Sequence, residues 1–265
     1  MKTISVTIEF ARILQYTMLT SVTQNFTLKI LKFILLSLTP MLMLSCNKQP
    51  VFSFIKGSGI IVTEKRDMDN YSSIDLRMAG NVKISADNRF KLLVSADDNI
   101  IREINTFTSN GTLIISGNEN FRNATIDIYI SLPSAEKISV NGSGDIIVGD
   151  FISDDKMNFS IGGSGSITAK VKSEKIYSTI AGSGSLNLSG TTYQHNIKIL
   201  GSGAINSYEL NTSVSHVKVN GSGNSFISVE DSLEVRNNGS GNVYYRGTPR
   251  IDSVIMGSGK IINTN

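Results

Sequence analysis

The sequence predicts an all-β protein, a parallel β-helix of about seven coils that turn at Gly-Ser-Gly corners. Three observations predict this fold. The tripeptide Gly-Ser-Gly occurs eight times and uses 16 of the 23 glycines in the 265-residue chain. From Gly142 onward the copies follow one another at intervals of 21, 19, 19, 20, 18 and 18 residues. Apolar residues also recur at fixed offsets from each copy, as they do in the repeats of a solenoid.

The apolar offsets predict strands on both sides of each turn. Apolar and polar residues alternate with a period of two, the period of a strand with one buried face. One coil of about 19 residues cannot cover its own apolar face, so we expect stacked coils paired in parallel and in register, about 4.8 Å apart. Asn237 is the one polar residue in the column two positions before the corners, which contains Val140, Ile161, Ile180, Ile199, Val219, Asn237 and Ile255.

The corners are assigned to the glycine pairs of the seven repeated copies. Glycine suits a corner because it reaches positive φ and because it lets neighbouring corners approach closely. A Cβ added in the middle of the rod is therefore expected to clash with the coils on both sides. The predicted corner glycines are Gly142, Gly144, Gly163, Gly165, Gly182, Gly184, Gly201, Gly203, Gly221, Gly223, Gly239, Gly241, Gly257 and Gly259.

The segment 57–133 predicts an N-terminal β cap ahead of the coils, which occupy 134–265. It contains only the first Gly-Ser-Gly copy, yet it alternates well, for example at Ile126–Ile130. Asn110-Gly111 predicts a tight hairpin turn. We therefore expect antiparallel or mixed pairing here, which would cover the strand edges that an open solenoid end exposes.

Residues 1–46 predict an export signal that ends in a lipid anchor. Lys29 and Lys32 precede an apolar run, Phe33–Leu38, that continues through Pro40 to Leu44. The run is too short and too interrupted to span a bilayer, and it fits the apolar core of a signal peptide. The run leads to Cys46, the only cysteine of the chain, which follows a small residue. This pattern resembles a bacterial lipobox, in which the cysteine is acylated and becomes the new N-terminus.

Two points about this signal stay open. The alternative to a lipid anchor is a buried free cysteine behind an ordinary signal peptide, since a lone cysteine cannot form an internal disulfide. Translation starts at Met1 or at Met18, and the second start would give a signal of ordinary length. Residues 47–56 are assigned to a linker. We expect an outer-membrane lipoprotein of the cell envelope, facing either the periplasm or the cell surface.

The charge balance argues against nucleic acid as a partner. The net charge of +3 comes from residues 1–46, and the rest of the chain has 21 basic and 21 acidic residues. Nucleic-acid binding requires Lys and Arg clustered on one face.

Three motifs suggest nucleotide or metal chemistry that the surrounding sequence does not support. Gly257–Lys260 is similar to the end of a phosphate-binding loop, but an apolar strand pattern follows it instead of a helix. Asp145 follows a corner as in calcium-binding repeats, but the equivalent residues of the later coils are not acidic. His195 and His216 are out of phase by one residue, so we expect two solvated surface histidines and no zinc site. The sequence predicts no cofactor, no metal and no catalytic residue.

One acidic pair is the best candidate for an enzyme site. Asp155 and Glu174 lie at the same offset in consecutive coils, and β-helical enzymes that cleave polysaccharides use clustered carboxylates. The same offset continues with Tyr193 and Ser213, so the cluster ends there. We therefore expect a solvated surface pair.

Four segments, taken in order, resemble a known family of exported bacterial proteins. They are Ile55–Gly59, Tyr71–Leu76, Asn110–Leu113 and Ser139–Ile146. Together they resemble the family "putative auto-transporter adhesin, head GIN domain", from roughly Gly57 to the C-terminus. The resemblance implies a right-handed β-helix and an envelope location, and it supplies no catalytic residues.

These observations lead to three hypotheses about function. The first is a non-catalytic envelope lipoprotein, anchored to the membrane through Cys46, whose rigid surface serves adhesion or binds a polysaccharide or a surface protein. The second is a carbohydrate-active enzyme or accessory protein, which clustered acids would favour. The third is a structural or stress-linked envelope protein without a specific ligand. The exposed columns, mainly Ser, Asn, Thr and Lys, fit polysaccharide contact, but they would also keep a rod soluble.

Overall fold

The computed structural model of the protein describes residues 54–117, 120–152 and 155–265. The described residues lie within one compact unit, Ser53–Asn265. The predicted signal and its cysteine lie outside the described residues, so lipidation stays a prediction. The all-β solenoid is confirmed, with about 6 turns.

The described residues form nineteen strands and one short 3-10 helix, Ile101–Glu103. The strands, in chain order, are β1 Phe54–Lys56, β2 Ile61–Lys65, β3 Ser73–Leu76, β4 Asn81–Ala86, β5 Lys91–Asp97, β6 Ile104–Ser109, β7 Thr112–Gly117, β8 Asn120–Arg122, β9 Ile126–Leu132, β10 Lys137–Val140, β11 Asp145–Ile152, β12 Lys156–Ile161, β13 Ser166–Ile180, β14 Ser185–Ile199, β15 Ala204–Val219, β16 Ser225–Asn237, β17 Val243–Arg246, β18 Arg250–Ile255 and β19 Ile261–Asn263.

Two ladders of parallel strands run along the rod. The leading wall, which enters the corners, consists of β7, β3, β10, β12, the second halves of β13 to β16, and β18. The trailing wall, which leaves the corners, consists of β9, β4, β11, the first halves of β13 to β16, β17 and β19. Each long strand from β13 to β16 therefore belongs to both walls.

The strand register confirms the predicted parallel, in-register stacking. Ile161 lies opposite Ile180, which lies opposite Ile199, and the column continues through Val219 to Asn237. All five side chains are buried. The core is thus a stack of inward columns, and burying each large aliphatic side chain contributes roughly 1.5–3 kcal/mol.

Asn237 occupies an apolar column without leaving its amide unpaired. Its Nδ2 donates to the carbonyl oxygen of Gly241 at 2.8 Å, and its Oδ1 accepts from the backbone N–H of Gly239 at 3.0 Å. A buried polar group is tolerated when its hydrogen bonds are made. Asn237 therefore ties the strand to the corner that follows it.

The corner glycines are required for close approach, and the expectation of positive φ was wrong. Positive φ occurs at five other glycines, and none of the fourteen corner glycines is among them. A Cβ on Gly201 would instead overlap the carbonyl oxygen of Gly182, one coil earlier. The three nearest atoms to that Cβ all belong to the preceding coil, so the closest overlap is with that coil.

The region before the coils combines both kinds of pairing. The pairs β2–β5, β5–β9 and β6–β7 are antiparallel. In contrast, β3 and β4 already pair in parallel with β10 and β11, so the two walls begin within the predicted cap. The turn between β6 and β7 is Asn110-Gly111, and both residues have positive φ, as a tight hairpin requires.

Differences in coil length are absorbed by bulges within the walls, away from the corners. The register shifts between Val148 and Asp150 in β11, where Gly149 is the extra residue. It shifts again in β15, where Ser207 and Asn211 face consecutive residues of β16. The later corners stay aligned, because each corner glycine from Gly163 onward meets the corner glycine of the coil before it.

The last coil leaves apolar residues exposed. All six residues of β18 are exposed, and no described strand pairs with its far side. Ile251 and Ile255 lie opposite the buried Leu233 and Asn237, so their column is inward in every earlier coil.

Candidate ligand-binding face

The outward face of the leading wall is the candidate binding surface. Successive side chains of a strand point to opposite faces, so every second residue here faces out, and the register aligns these residues into columns. The first outer column contains Ser73, Lys137, Asn158, Tyr177, Asn196, His216, Glu234 and Asp252. The second outer column contains Asp75, Ser139, Ser160, Thr179, Lys198, Lys218, Arg236 and Val254.

A polar groove of about 480 Å³ lies near the N-terminal end of this face. Asp75 lines it and is largely buried. Its Oδ2 accepts a hydrogen bond from Arg77 Nε at 2.7 Å, and its Oδ1 accepts one from Asn141 Nδ2 at 2.7 Å. Both oxygens of Asp75 accept hydrogen bonds, so this carboxylate fixes the corner that begins at Gly142. It is therefore poorly placed to act as a general base.

Farther along the rod the second outer column becomes cationic. Lys198, Lys218 and Arg236 occupy facing positions on consecutive strands and are all exposed. Arg236 pairs with Glu234 of its own strand, with 2.8 Å between Nη2 and Oε1. No ion pair to Lys198 or Lys218 occurs within the described part of the chain. We call these three residues the cation row.

The cation row borders a second groove of about 210 Å³ that carries amide and imidazole groups. Gln194 Nε2 donates to Asn196 Oδ1 at 3.1 Å and lies 3.3 Å from His216 Nδ1. His216 Nε2 lies 3.9 Å from Glu234 Oε2. Hydroxyl-binding and anion-binding groups are thus adjacent on one rigid wall.

Tyr177 adds an exposed aromatic ring to the first outer column. It lies opposite Asn196, and 37% of its surface is exposed. Lys156 Nζ lies 4.9 Å from the ring centroid, a cation–π contact.

Comparison with known proteins identifies the family of this rod. The family model described as "Putative auto-transporter adhesin, head GIN domain" matches residues 70–249, more than half of the chain. The chain belongs to this head GIN domain family. None of the curated proteins matches it.

Solved structures with the same fold include two described as putative adhesins and one as a putative lipid binding protein. The first, from Bacteroides fragilis NCTC 9343, has a TM-score of 0.74 and 23% identity over 79% of this chain and 100% of its own. The putative lipid binding protein, from Parabacteroides distasonis ATCC 8503, has a TM-score of 0.63 and 20% identity over 80% of this chain and 100% of its own. The second putative adhesin, from Parabacteroides merdae ATCC 43184, has a TM-score of 0.63 and 17% identity over 80% and 99%.

The histidines of this head GIN domain differ in burial, and the prediction of two solvated residues was wrong for one of them. Ser215 lies opposite His195 and His216 opposite Asn196, which confirms the offset of one residue. His195 therefore points inward and is 1% exposed. Burial lowers the pKa of His195 to about 3, and its Nε2 lies 2.8 Å from Ser178 Oγ.

The acidic pair lies where the sequence predicted. Lys156 lies opposite Lys175, which places Asp155 and Glu174 on adjacent coils one residue earlier, and both carboxylates are exposed. Among the described residues, no group of three or more His, Cys, Asp or Glu side chains could bind a metal ion, and no helix is long and apolar enough to span a membrane.

Two other motifs also have a structural place in the head GIN domain. Gly257–Lys260 is followed by β19, as expected. Asp145 accepts hydrogen bonds from both the backbone N–H and the hydroxyl of Ser166 in the next coil, at 3.0 and 2.6 Å. This carboxylate therefore joins two coils.

Sequence reasoning did not predict the cation row. Its members are 20 and 18 residues apart, which are the intervals between the corners of the same coils. The residue one position before the column of Ile199, Val219 and Asn237 is basic in all three coils. The signal is therefore present in the sequence, as basic residues that recur at the coil spacing in an outward-facing column.

A buried carboxylate in the N-terminal region was also not predicted. Asp97 is 1% exposed. Its Oδ2 accepts from the N–H of Thr125 at 2.8 Å and its Oδ1 from the N–H of Gly59 at 2.6 Å. These two hydrogen bonds, that of Thr125 first, lower the pKa of Asp97. Asp97 has a structural role, since it fixes the first Gly-Ser-Gly copy.

Proposed function

We propose that this head GIN domain protein is a non-catalytic, adhesin-like binding protein of the cell envelope. The observation that carries the proposal is the outer face of the leading wall, a rigid surface of aligned polar side chains with two grooves. Membership of a family described as adhesins supports it, as do the names of two proteins with the same fold. The proposed ligand is a polysaccharide or a surface protein.

The carboxylates argue for binding over hydrolysis. Asp75 uses both oxygens in hydrogen bonds within the fold, and Asp97 is occupied by two backbone N–H groups. Asp155 and Glu174 lie exposed, and neither groove of the leading wall includes them. A hydrolytic pair needs both groups on either side of one bond in a shaped site.

We further propose that lipid on Cys46 anchors the protein to a membrane, on either the periplasmic or the outer face. The support is the apolar run that ends at the only cysteine of the chain. The test is membrane fractionation of cells that express Cys46→Ser, with Ser45→Ala as the control because alanine keeps a small residue before the cysteine. Cys46→Ser should move to the soluble fraction and lose acyl label, whereas an unchanged membrane fraction would refute the anchor.

Binding is tested with full-length protein, purified in detergent and applied to arrays of polysaccharides and envelope proteins. Saturable binding to at least one class is the expected result. Folded protein that binds no member of either array would overturn the proposed function.

Soluble polysaccharides are incubated in parallel and assayed for new reducing ends and for unsaturated products. Turnover that Asp155→Asn or Glu174→Gln abolishes would replace the binding proposal with an enzymatic one.

A further inference from the structure

We infer that the cation row is a binding site for a linear acidic polysaccharide that carries carboxylate or sulfate groups along its length. The inference rests on the proposed function and names the ligand class of its binding face.

The cation row has no evident role in stability. Like charges in directly facing positions of neighbouring strands destabilise a sheet. Lys198 faces Lys218, and Lys218 faces Arg236. The three coils just before the row place neutral residues at the same outward position, namely Ser139, Ser160 and Thr179. The walls therefore form without cations there, and a row of three is better explained by an external anion.

The charge of the row is only partly balanced within the protein. Glu234 pairs with Arg236, at 2.8 Å from both Nε and Nη2. The two lysines have no acidic partner in the part of the chain that the structure describes. They are available for anionic groups on a ligand.

The geometry favours an extended ligand over a compact ion. The strands are about 4.8 Å apart, so three facing cations cover roughly 10 Å along the rod. A single phosphate or carboxylate would reach one or two of them. A polymer with repeated negative charge, lying parallel to the rod axis, would reach all three at once.

The flanking column supplies groups suited to sugars. His216 lies beside the cation row in the same groove, where its Nε2, at 3.9 Å from Glu234 Oε2, can hydrogen-bond a sugar hydroxyl. Tyr177, in the same column, presents a partly exposed ring against which the apolar face of a sugar can pack. A membrane surface or a nucleic acid would use a broad basic patch, whereas this row is a single column beside the acidic Glu234 and Asp252.

The test measures the affinity of full-length protein in detergent for polygalacturonate and for heparin, with dextran as a neutral polymer. The double variant Lys198→Gln/Lys218→Gln removes two cations from the row. The control, Lys172→Gln/Lys260→Gln, removes two exposed lysines on the side of the trailing wall. Because each exposed charge pair is worth little, removal of both row lysines should lower the affinity about tenfold. The control should change the affinity less than twofold, and added salt should weaken binding of the wild type.

Stability provides a second readout. Because facing like charges repel, the row variant should melt at the same temperature as the wild type or higher. A lower melting temperature would mean that the lysines serve the fold and would count against the inference.

The outcomes separate this inference from the proposed function. Binding to dextran alone, or equal affinities of the two double variants for the acidic polymers, would overturn the acidic-polysaccharide site and leave the binding function intact. Binding of the row only to anionic vesicles or to DNA would also overturn it. Failure to bind any polysaccharide or envelope protein would overturn both.

Discussion

Two copies of one tripeptide make their turns in different ways. Gly201–Gly203 packs its glycines directly on the backbone of the preceding corner, where a side chain would overlap a carbonyl oxygen. Gly57–Gly59 is instead fixed by side chains, with Asp97 accepting from Gly59 and Asp98 accepting from the Ser58 hydroxyl at 2.6 Å. Both turns exclude a Cβ, since one on Gly57 would meet Asn123 O and Asp97 Oδ2 at 2.7 Å. The coil corners are held by backbone packing between glycines, whereas the N-terminal turn depends in addition on ionised carboxylates. The same Gly-Ser-Gly tripeptide is therefore stabilised by different interactions in the two places.

Substitution of a corner glycine should have the largest effect. Gly201→Ala places a Cβ on the carbonyl oxygen of Gly182, and the resulting backbone shift should cost at least about 2 kcal/mol. The control is Gly149→Ala, since a Cβ there meets only the carbonyl oxygen of Ile84 at 3.6 Å. The control should change stability by no more than about 0.5 kcal/mol. Equal losses in denaturant unfolding would refute the close-packed corner.

The same substitution in the last coil sharpens this prediction. The Cβ of Gly257→Ala would overlap the carbonyl oxygen of Gly239 in the same manner. The last coil has no described strand beyond it and can shift away, so the loss in melting temperature should be clearly smaller than for Gly201→Ala. Equal losses would show that the coils resist displacement equally along the rod.

The buried histidine should make the coils sensitive to moderate acid. The pKa of His195 is lowered from 6.5 to about 3, so the unfolded chain takes up the proton first as pH falls. Stability should therefore decline below pH 6.5 by up to about 1.4 kcal/mol per pH unit until about pH 3. His195→Gln should remove the decline between pH 6.5 and 4. Ser178→Ala keeps the imidazole and should keep the decline, and a flat profile for the wild type would contradict the burial.

The carboxylate of the N-terminal turn should act at lower pH and more locally. The folded-state pKa of Asp97 is lowered, so its contribution is present above the usual value of 3.8 and is lost as pH falls below it. Asp97→Asn should increase amide hydrogen exchange at Gly59 and Thr125 at neutral pH, while exchange at the corners beyond Gly142 should stay unchanged. Asp98→Ala removes only the bond from the Ser58 hydroxyl and serves as the control. Unaltered exchange at Gly59 in Asp97→Asn would refute the role of this carboxylate.

The solenoid could be predicted because the residues that determine it recur at regular intervals in the sequence. The spacing of the corners and of the inward columns determines which residues of neighbouring coils are paired. A parallel stack repeats the same register from coil to coil. The buried position of Asn237 could not be explained from the sequence, because its amide bonds to backbone groups of the corner that come together only in the folded turn. The φ of the corner glycines could not be inferred either, because glycine is compatible with both close approach and positive φ.

The binding face was harder to predict than the fold. The inward columns can be recognised in the sequence because buried positions require apolar residues. Outward-facing positions accept many residue types, so their columns are harder to recognise. The cation row follows the coil spacing, but the three preceding coils have the neutral residues Ser139, Ser160 and Thr179 at the same offset. The burial of His195 was not predicted because, in a long strand, a shift of one residue decides whether a side chain faces inward or outward.

The placement of the bulges has a consequence for how this chain can change in length over evolution. Corners align with corners, and the extra residues of β11 and β15 are absorbed within the walls. Insertion of one residue beside Gly149 or Tyr208 should therefore be tolerated, whereas the same insertion inside a Gly-Ser-Gly corner would break the glycine column. Duplication of a whole coil keeps the corners and the inward columns in register and lengthens the rod by about 4.8 Å. Relatives of this protein should accordingly vary in their number of coils more readily than in the structure of a corner.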